Sequence, residues 1–369
     1  MAIPERWRPL LVAGFLFGAI AWLAYSLYDL AGSTAWGYDY AAYHAAAERL
    51  VETGSPYQAH TLAGPFRPGP FGLYLYSPVP AALLVPLTSH SPAGATWLWL
   101  ALHIVVLGLS CALMPVPVRT RLLVFAVACL SWPVLRDLVL GNVSLLVTFL
   151  AVVGWRFLDR PAGAAAIAVS LALRPTMGLL LGWWLIRGRW RPLLWAIGVA
   201  LLLVLFSLPV VGLRGWLEYM TVLRNLTDFE AVVRNLAFGE LFELLGAPAP
   251  VVLAATLASY GLAAAAVVLS LRRDRELSYV VTLGATLLLS PLLWDHYLTN
   301  LLVPAAFLAG RGRWLGLALP LVCWLPPESA FSLIAMAGLL LPFLAADRGQ
   351  PAGSILDLLS RRRPTPARA

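Results

Sequence analysis

Long apolar runs constrain this chain before any motif does. "LLVAGFLFGAIAWLAYSLY" (10–28), "WLWLALHIVVLGLSCALM" (97–114) and "LLWAIGVALLLVLFSLPVV" (193–211) each hold 18 or 19 residues without a charged side chain. A helix needs about 20 apolar residues to cross the hydrocarbon of a bilayer. Only helices and closed barrels can satisfy their backbone there. With 12% of its residues charged, against roughly a quarter in soluble domains, the chain reads as an all-α polytopic membrane protein. The first run lacks a small-residue cleavage site and exceeds a signal-peptide core, so it is expected to stay as the first helix.

The charges fall between the runs and set an expected topology. "MAIPERWR" puts two arginines ahead of the first span, which places the N-terminus in the cytoplasm. After a polar segment at 33–70, "PFGLYLYSPVPAALLVPL" is expected to lead back in, and 94–114 to cross again. Further spans are expected near 121–136, 141–157, 163–186, 192–211, 250–271, 277–293, 297–310, 314–325 and 330–345. The direct count is twelve, with ten to thirteen the range. The domain plan is one membrane domain over 1–346, outer loops at 33–70 and 213–249, and a basic cytoplasmic tail at 347–369. This count leaves Arg119, Arg121, Arg156 and Arg160 outside, against the positive-inside rule. A broken helix at "ALRPTMG" (172–178) would change the local parity.

Net charge is +8 and all of the positive charge is arginine. Genome composition and cytoplasmic loop charge account for that more simply than nucleic-acid binding does. Bidentate phosphate recognition would also favour arginine. The cysteines Cys111, Cys129 and Cys323 lie in apolar runs and show neither a disulfide framework nor a metal-ligand spacing. No phosphate-cradling glycine motif, HExxH or nucleophile elbow is present, nor is a soluble nucleotide-binding domain. A substrate must therefore reach the membrane by itself.

Several polar residues stand where they are expensive. In "WGYDYAAYHAAAERLVETG" (36–54), Asp39 opens a short helix just past the first span. It is either an N-cap or a general base at the membrane boundary. The helix is expected to lie on the membrane surface, with Tyr43 on the apolar face and His44 and Glu48 on the polar one. The second outer connection is amphipathic too, with Trp216, Leu217 and Met220 as interfacial anchors. Asp295 and His296 sit in the turn "LLWDHY", where His296 could bind an anion with Asp295 tuning it. Arg136 is adjacent to Asp137, which could neutralise it. Arg174 stands alone in an apolar run before Pro175, either snorkelling to the interface or reaching a phosphate.

These features, in order, resemble the GT-C glycosyltransferases, and more narrowly the polyprenol-phosphate-mannose-dependent α-mannosyltransferases of glycosyltransferase family 87. Asp39 is followed by Tyr43, Ala46, Leu50, Gly54, Pro56 and Tyr57, then by "LYSPVPAALLVPL" with Tyr76. "LVLGNVSLL" stands for the family's Gly-Gln-x-Asn segment, with Asn142 for the Gln and Ser144 for the Asn. "LALRPTMG" places Arg174 at the family's lysine, and "LLSPLLWDHYLTN" carries the Ser-Pro-x-x-Trp-x-His pattern. "NLAFGELF" keeps Asn235 but not the Ser that usually follows.

The resemblance implies a GT-C fold of about 10–13 transmembrane helices, with amphipathic helices on the outer face of a bacterial plasma membrane. It implies a polyprenyl-phosphate-linked sugar donor, most simply mannose, and a glycolipid or polysaccharide acceptor, with no cofactor and no metal. Asp39 would be the general base. His296, Arg136 and Arg174 would bind the donor phosphate, and Tyr43, His44, Tyr76, Asn142, Asn235 and Asp295 would contact substrate. A lipid or sugar-lipid transporter and a non-catalytic scaffold are the alternatives from other classes.

Overall fold

The computed structural model describes residues 7–66, 69–226, 235–325 and 330–345. Every regular element among them is a helix. α1 (Arg8–Leu30) carries Pro9 in its first turn, where a missing N–H leaves no bond unmade. It buries Ala19, Leu23 and Leu27, one stripe at four-residue spacing, and leaves Phe17, Ile20, Trp22 and Tyr28 exposed. A helix that shows so much apolar surface belongs against lipid.

The chain then folds back over the end of α1. α2 (Tyr38–Thr53) is followed by the short α3 (Ala59–Ala63), then α4 (Pro78–Leu84) with a 3₁₀ extension at Val85–Ser89. None of them crosses. α5 (Pro92–Leu113) starts beside the end of α1, where the Trp97 and Trp36 rings lie 5.0 Å apart. The expected inward crossing at 70–87 is therefore a cap on one end of the bundle. Pro78, Pro80 and Pro86 accompany it: Ser77 before Pro78 is held extended (φ −58°, ψ 163°), so α4 starts at Pro78 and no single helix spans the segment.

From there the helices alternate. α5 runs to the far end, where Val116 packs on Gly310 and Arg121 donates to the Val116 carbonyl at 2.8 Å. α6 (Val118–Leu130) and α7 (Trp132–Leu140) return, bent by 62° at Ser131. α8 (Ser144–Arg156) descends and α9 (Pro161–Leu173) rises to Arg174, whose extended backbone (φ −147°, ψ 108°) ends the helix before Pro175. The break expected at 172–178 is thus present. A 3₁₀ turn at Pro175–Gly178 leads into α10 (Leu179–Ile186), and α11 (Trp190–Arg224) follows with Pro209 and a kink at Gly212. α12 (Phe238–Leu244), α13 (Ala249–Ser270) and α14 (Arg275–Leu288) come next. A 3₁₀ turn at Asp295–Leu301 runs into α15 (Leu302–Gly310). The last elements are the turn Trp314–Leu317, α16 (Ala318–Leu321), the turn Val322–Trp324 and α17 (Phe331–Leu344). α14 is buried from Leu277 to Leu288 and forms the axis of the bundle.

The arginine-rich turns gather at one end. Asp159 pairs with Arg275 and lies 3.8 Å from Arg189. Arg311 meets Asp274 at 3.1 Å, and Arg187 reaches the Leu271 carbonyl at 3.4 Å. Arg156 and Arg160 flank Asp159, and Arg119 and Arg121 belong to the turn against Gly310. All four arginines that the sequence count left outside share this end with the other clusters. Because residues 70–87 do not cross, α5 to α9 take the opposite parity; the reversal at Arg174, from which α10 returns to the arginine end, restores the expected parity from α11 onward, and the conflict disappears.

Among the described residues, four helices, α1, α5, α11 and α13, are long and apolar enough to cross a membrane alone, and α6–α7 makes a fifth if the bent pair is one span. The other apolar helices run 10–17 residues, shortened by prolines and by the turn at Arg174. α2 departs from the surface-helix expectation. Tyr40, Tyr43, Ala46, Ala47 and Leu50 pack against Tyr57, Phe66, Tyr74 and Tyr76 in a second apolar core. Of the expected apolar face, Tyr43, Ala47 and Leu50 are buried while Val51 is 62% exposed; of the polar face, Glu48 and Glu52 are exposed while His44 is buried. Leu217 and Met220 are exposed on the extension of α11 as expected, while Trp216 packs inward, its indole donating to Ser207 Oγ at 3.0 Å. Residues 227–234 of the second outer connection and the tail at 347–369 lie outside the described residues.

Candidate active site

The site forms at the capped end, where α2, α7, the start of α8, the break after α9 and the turn at 295–301 converge. Gly37, with φ +68°, caps α2, and its N–H donates to the Val139 carbonyl at 2.7 Å, pinning α2 to α7. Asp39 makes no capping bond. Its Oδ2 instead accepts from Asn142 Nδ2 at 2.8 Å. Gly72 is packed so closely that a Cβ there would stand 2.5 Å from Asp39 Oδ1. Burial pushes the Asp39 carboxyl above its ordinary value, opposed by the nearby His296 and by the Asn142 hydrogen bond.

Asn142 is the junction of the site. Its Nδ2 also lies 3.3 Å from Tyr76 Oη, which accepts from Tyr43 Oη at 3.0 Å. Its Oδ1 accepts from the backbone N of Ser144 at 3.0 Å and from Ser144 Oγ at 2.8 Å. Ser144 Oγ in turn accepts from Arg174 Nη2 at 2.6 Å. A continuous string of side chains thus links Asp39 to Arg174. The Arg174 guanidinium lies 3.6 Å over the Tyr297 ring, a cation–π contact. Its Nη1 is buried with no protein partner among the described residues. Arg174 therefore points into the protein and does not snorkel.

His296 completes the arc. Its Nδ1 lies 3.2 Å from Asp295 Oδ1, while Nε2 is buried without a partner among the described residues. Asp295 Oδ2 is 3.2 Å from Arg136 Nε and accepts from Trp132 Nε1 at 3.3 Å. Burial pushes the Asp295 carboxyl up, but His296 and Arg136 outweigh it and hold the group below its ordinary value. Arg136 is thus neutralised by Asp295 and not by its neighbour Asp137. A cavity of about 320 Å³ lies against this arc, lined by Tyr76, Arg174, Thr176, Ser290, Trp294 and Tyr297. It shares Tyr76 and Leu173 with an apolar groove of about 730 Å³ that runs down past Leu102, Val106 and Phe149.

Two expected substrate residues have other partners. His44 Nδ1 lies 3.4 Å from Glu48 Oε1 and its ring faces Tyr40, so the site's hydrogen bonds do not include it. Asn235 donates to the Pro291 carbonyl at 2.8 Å and accepts from the N–H groups of Ala237 and Leu293 at 3.0 Å. It braces the loop ahead of Asp295. Two buried residues were not expected as a pair beside the site, Asp137, expected only to neutralise Arg136, and His103, which lie 3.2 Å apart. The sequence signal for His103 is the one used for Arg174, a titratable side chain alone in an apolar run. Among the described residues, no cluster of three potential metal ligands forms.

A family model described as glycosyltransferase family 87 matches residues 74–291, more than half of the 369. The match spans Tyr76, Arg136, Asn142, Arg174 and Asn235, and stops short of Asp39 on one side and Asp295 and His296 on the other. No curated relative and no solved structure matches the chain.

Proposed function

The chain belongs to glycosyltransferase family 87, and on that premise we propose that it moves a hexosyl group from a polyprenyl-phosphate donor to an acceptor hydroxyl. Mannose is the first candidate for the sugar, and a glycolipid or polysaccharide for the acceptor. Asp39 takes the proton from the acceptor hydroxyl as that oxygen attacks the anomeric carbon. The bond from that carbon to the phosphate oxygen breaks on the opposite face, and polyprenyl phosphate leaves with the electron pair. Single displacement inverts the anomeric configuration, so a β-linked donor gives an α-linked product. A phosphate monoester leaves without a general acid. Cations aimed at its oxygens stabilise the charge instead, a role worth about 2.7–4 kcal/mol for one such group in well-studied sites.

The observation that carries the reading is the string Asp39–Asn142–Ser144–Arg174. It fixes a half-buried carboxylate and a buried guanidinium relative to each other, as a base and an anion clamp require. The upward shift of Asp39 suits a general base, whose ideal pKa lies close to the working pH. Arg174 Nη1 and, on a protonated ring, His296 Nε2 are buried donors with no protein acceptor among the described residues, and a phosphate would supply one. The apolar groove beside Tyr76 suits a polyprenyl tail. With the arginine-rich end in the cytoplasm, the site faces the extracytoplasmic side of the plasma membrane.

The test is transfer of labelled mannose from polyprenyl-phosphate mannose to a membrane glycolipid extract by wild type and Asp39→Asn. Wild type is expected to make product, and Asp39→Asn to bind donor without turning it over. Normal turnover by Asp39→Asn would remove the base, and with it the mechanism.

A further inference from the structure

One buried polar pair lies outside the reaction scheme. His103, on α5 and fully buried, places Nδ1 3.2 Å from Asp137 Oδ2. Asp137, also fully buried, uses Oδ1 to accept from the backbone N of Ser144 at 3.0 Å and of Leu145 at 3.3 Å. These are the first two amides of α8, which have no acceptor within their own helix. The Asp137 carbonyl also takes the Gly141 N–H and the Asn142 N–H, the latter at 3.1 Å. One turn earlier on α5, Trp99 Nε1 donates to the Gly141 carbonyl at 2.8 Å. Residues 99 and 103 are four apart, so one face of α5 grips the turn at both ends. The turn has no slack, since Gly141 sits at φ +68° and a Cβ on it would lie 2.7 Å from Tyr40 Cβ.

The gripped turn carries Asn142 and Ser144, the residues that hold Asp39 and Arg174. We propose that His103 and Asp137 are positioning residues that fix the turn 141–144 and so set the general base and the phosphate-binding arginine together. The inference rests on the roles proposed above for Asp39 and Arg174. If His103 is lost, Asp137 keeps a carboxylate with one unpaired oxygen in an apolar surround. It rotates to recover a partner, and the turn moves with it. Asn142 then loses its alignment on Asp39.

The test is the pH dependence of turnover for His103→Leu, His103→Gln and Trp99→Phe, measured per mole of monodisperse protein. Asp137→Asn is avoided because it also deletes a charge that acts on Asp39 directly. Asp39 is faced by Arg136 and Asp137 from α7, His296 and Tyr297 from the turn at 295–301, Tyr76 from the segment before α4, and Tyr38 and Tyr43 on its own helix. None of these is substituted, and because His103→Leu removes the partner of Asp137, Trp99→Phe, which keeps the His103–Asp137 pair, controls for a change in the charge on Asp137. The Asn142 hydrogen bond lowers the Asp39 pKa, so weakening it moves the acid limb of the profile to higher pH.

His103→Leu is expected to shift that limb upward and to lose at least about tenfold in turnover, the scale of a small misplacement in a reacting pair. His103→Gln, which keeps a donor for Asp137, should restore both. Trp99→Phe, which removes the bond to Gly141 and keeps an aromatic ring against His103 and Tyr40, should move the limb the same way by less. Folded His103→Leu protein with the wild-type profile would overturn the proposal. If His103→Leu does not fold, Trp99→Phe decides in the same manner. Asp39→Asn runs alongside, and normal turnover there would refute the base assignment itself, a failure distinct from an unmoved limb.

Discussion

Arg174→Gln should separate binding from folding, because the arginine serves the two unequally. In the protein alone, the guanidinium is 5% exposed, bonded once through Nη2 to Ser144, stacked on Tyr297, and unpartnered at Nη1. A charged hydrogen bond contributes roughly 1.5–3 kcal/mol and a desolvated cation–π contact about 2 kcal/mol. Against them stands the cost of removing an ion from water, several kcal/mol even after relaxation. The terms nearly cancel, so glutamine, which can still donate to Ser144, should leave unfolding in detergent within about 4 °C of wild type. Donor affinity should behave differently. Losing the charge that faces the phosphate forfeits a charged hydrogen bond of roughly 1.5–3 kcal/mol, or on the order of tenfold to a hundredfold in donor Kd. Donor titration by isothermal calorimetry and thermal unfolding of the same preparations give the two numbers. A variant that binds donor as wild type does but melts far lower would make Arg174 a structural residue, and the phosphate clamp would lose its centre.

Two further outcomes follow from Asp39. Gly72→Ala places a methyl 2.5 Å from Asp39 Oδ1, so the carboxylate must move, and kcat should fall at least about tenfold with donor Kd unchanged. An unaffected kcat would show that the carboxylate position is not critical. Asp39 also links stability to pH. Burial raises its folded pKa above the unfolded value, so the folded state binds the proton more tightly and stability falls as pH rises from the ordinary carboxylate range through the raised pKa. Asp39→Asn should flatten that fall and melt higher than wild type above the window. Equal slopes in the two proteins would contradict the burial.

Much of the fold was legible because membrane helices obey a length rule that residue composition exposes directly. The break at Arg174 and Pro175 was readable too, since proline acts locally. Crossing parity was not, because "PFGLYLYSPVPAALLVPL" is as apolar as a span. What keeps it at one end is the three prolines together with long-range bonds such as Ser77 Oγ to the Ala172 carbonyl at 2.7 Å. Hydropathy registers composition and is blind to that bond. The four misplaced arginines were the warning, and the charge rule was the better guide than the apolar window.

At the site, the chemistry-bearing residues stood out by cost, since Asp39, Arg174 and His296 are types that a membrane tolerates only with a partner. Their partners did not follow from adjacency. Arg136 pairs with Asp295 and Asp137 with His103, although Arg136 and Asp137 are neighbours in the chain. On α7 successive residues point about 100° apart, so adjacent charges do not face each other. Arg136 is directed toward the turn at 295–301, and Asp137 toward α5 and the start of α8. That divergence lets one short helix serve both the phosphate side of the site, through Arg136, and the turn that carries Asn142, through Asp137. A buried charged pair read from sequence is therefore better sought one helix turn away or across the bundle than at the next residue.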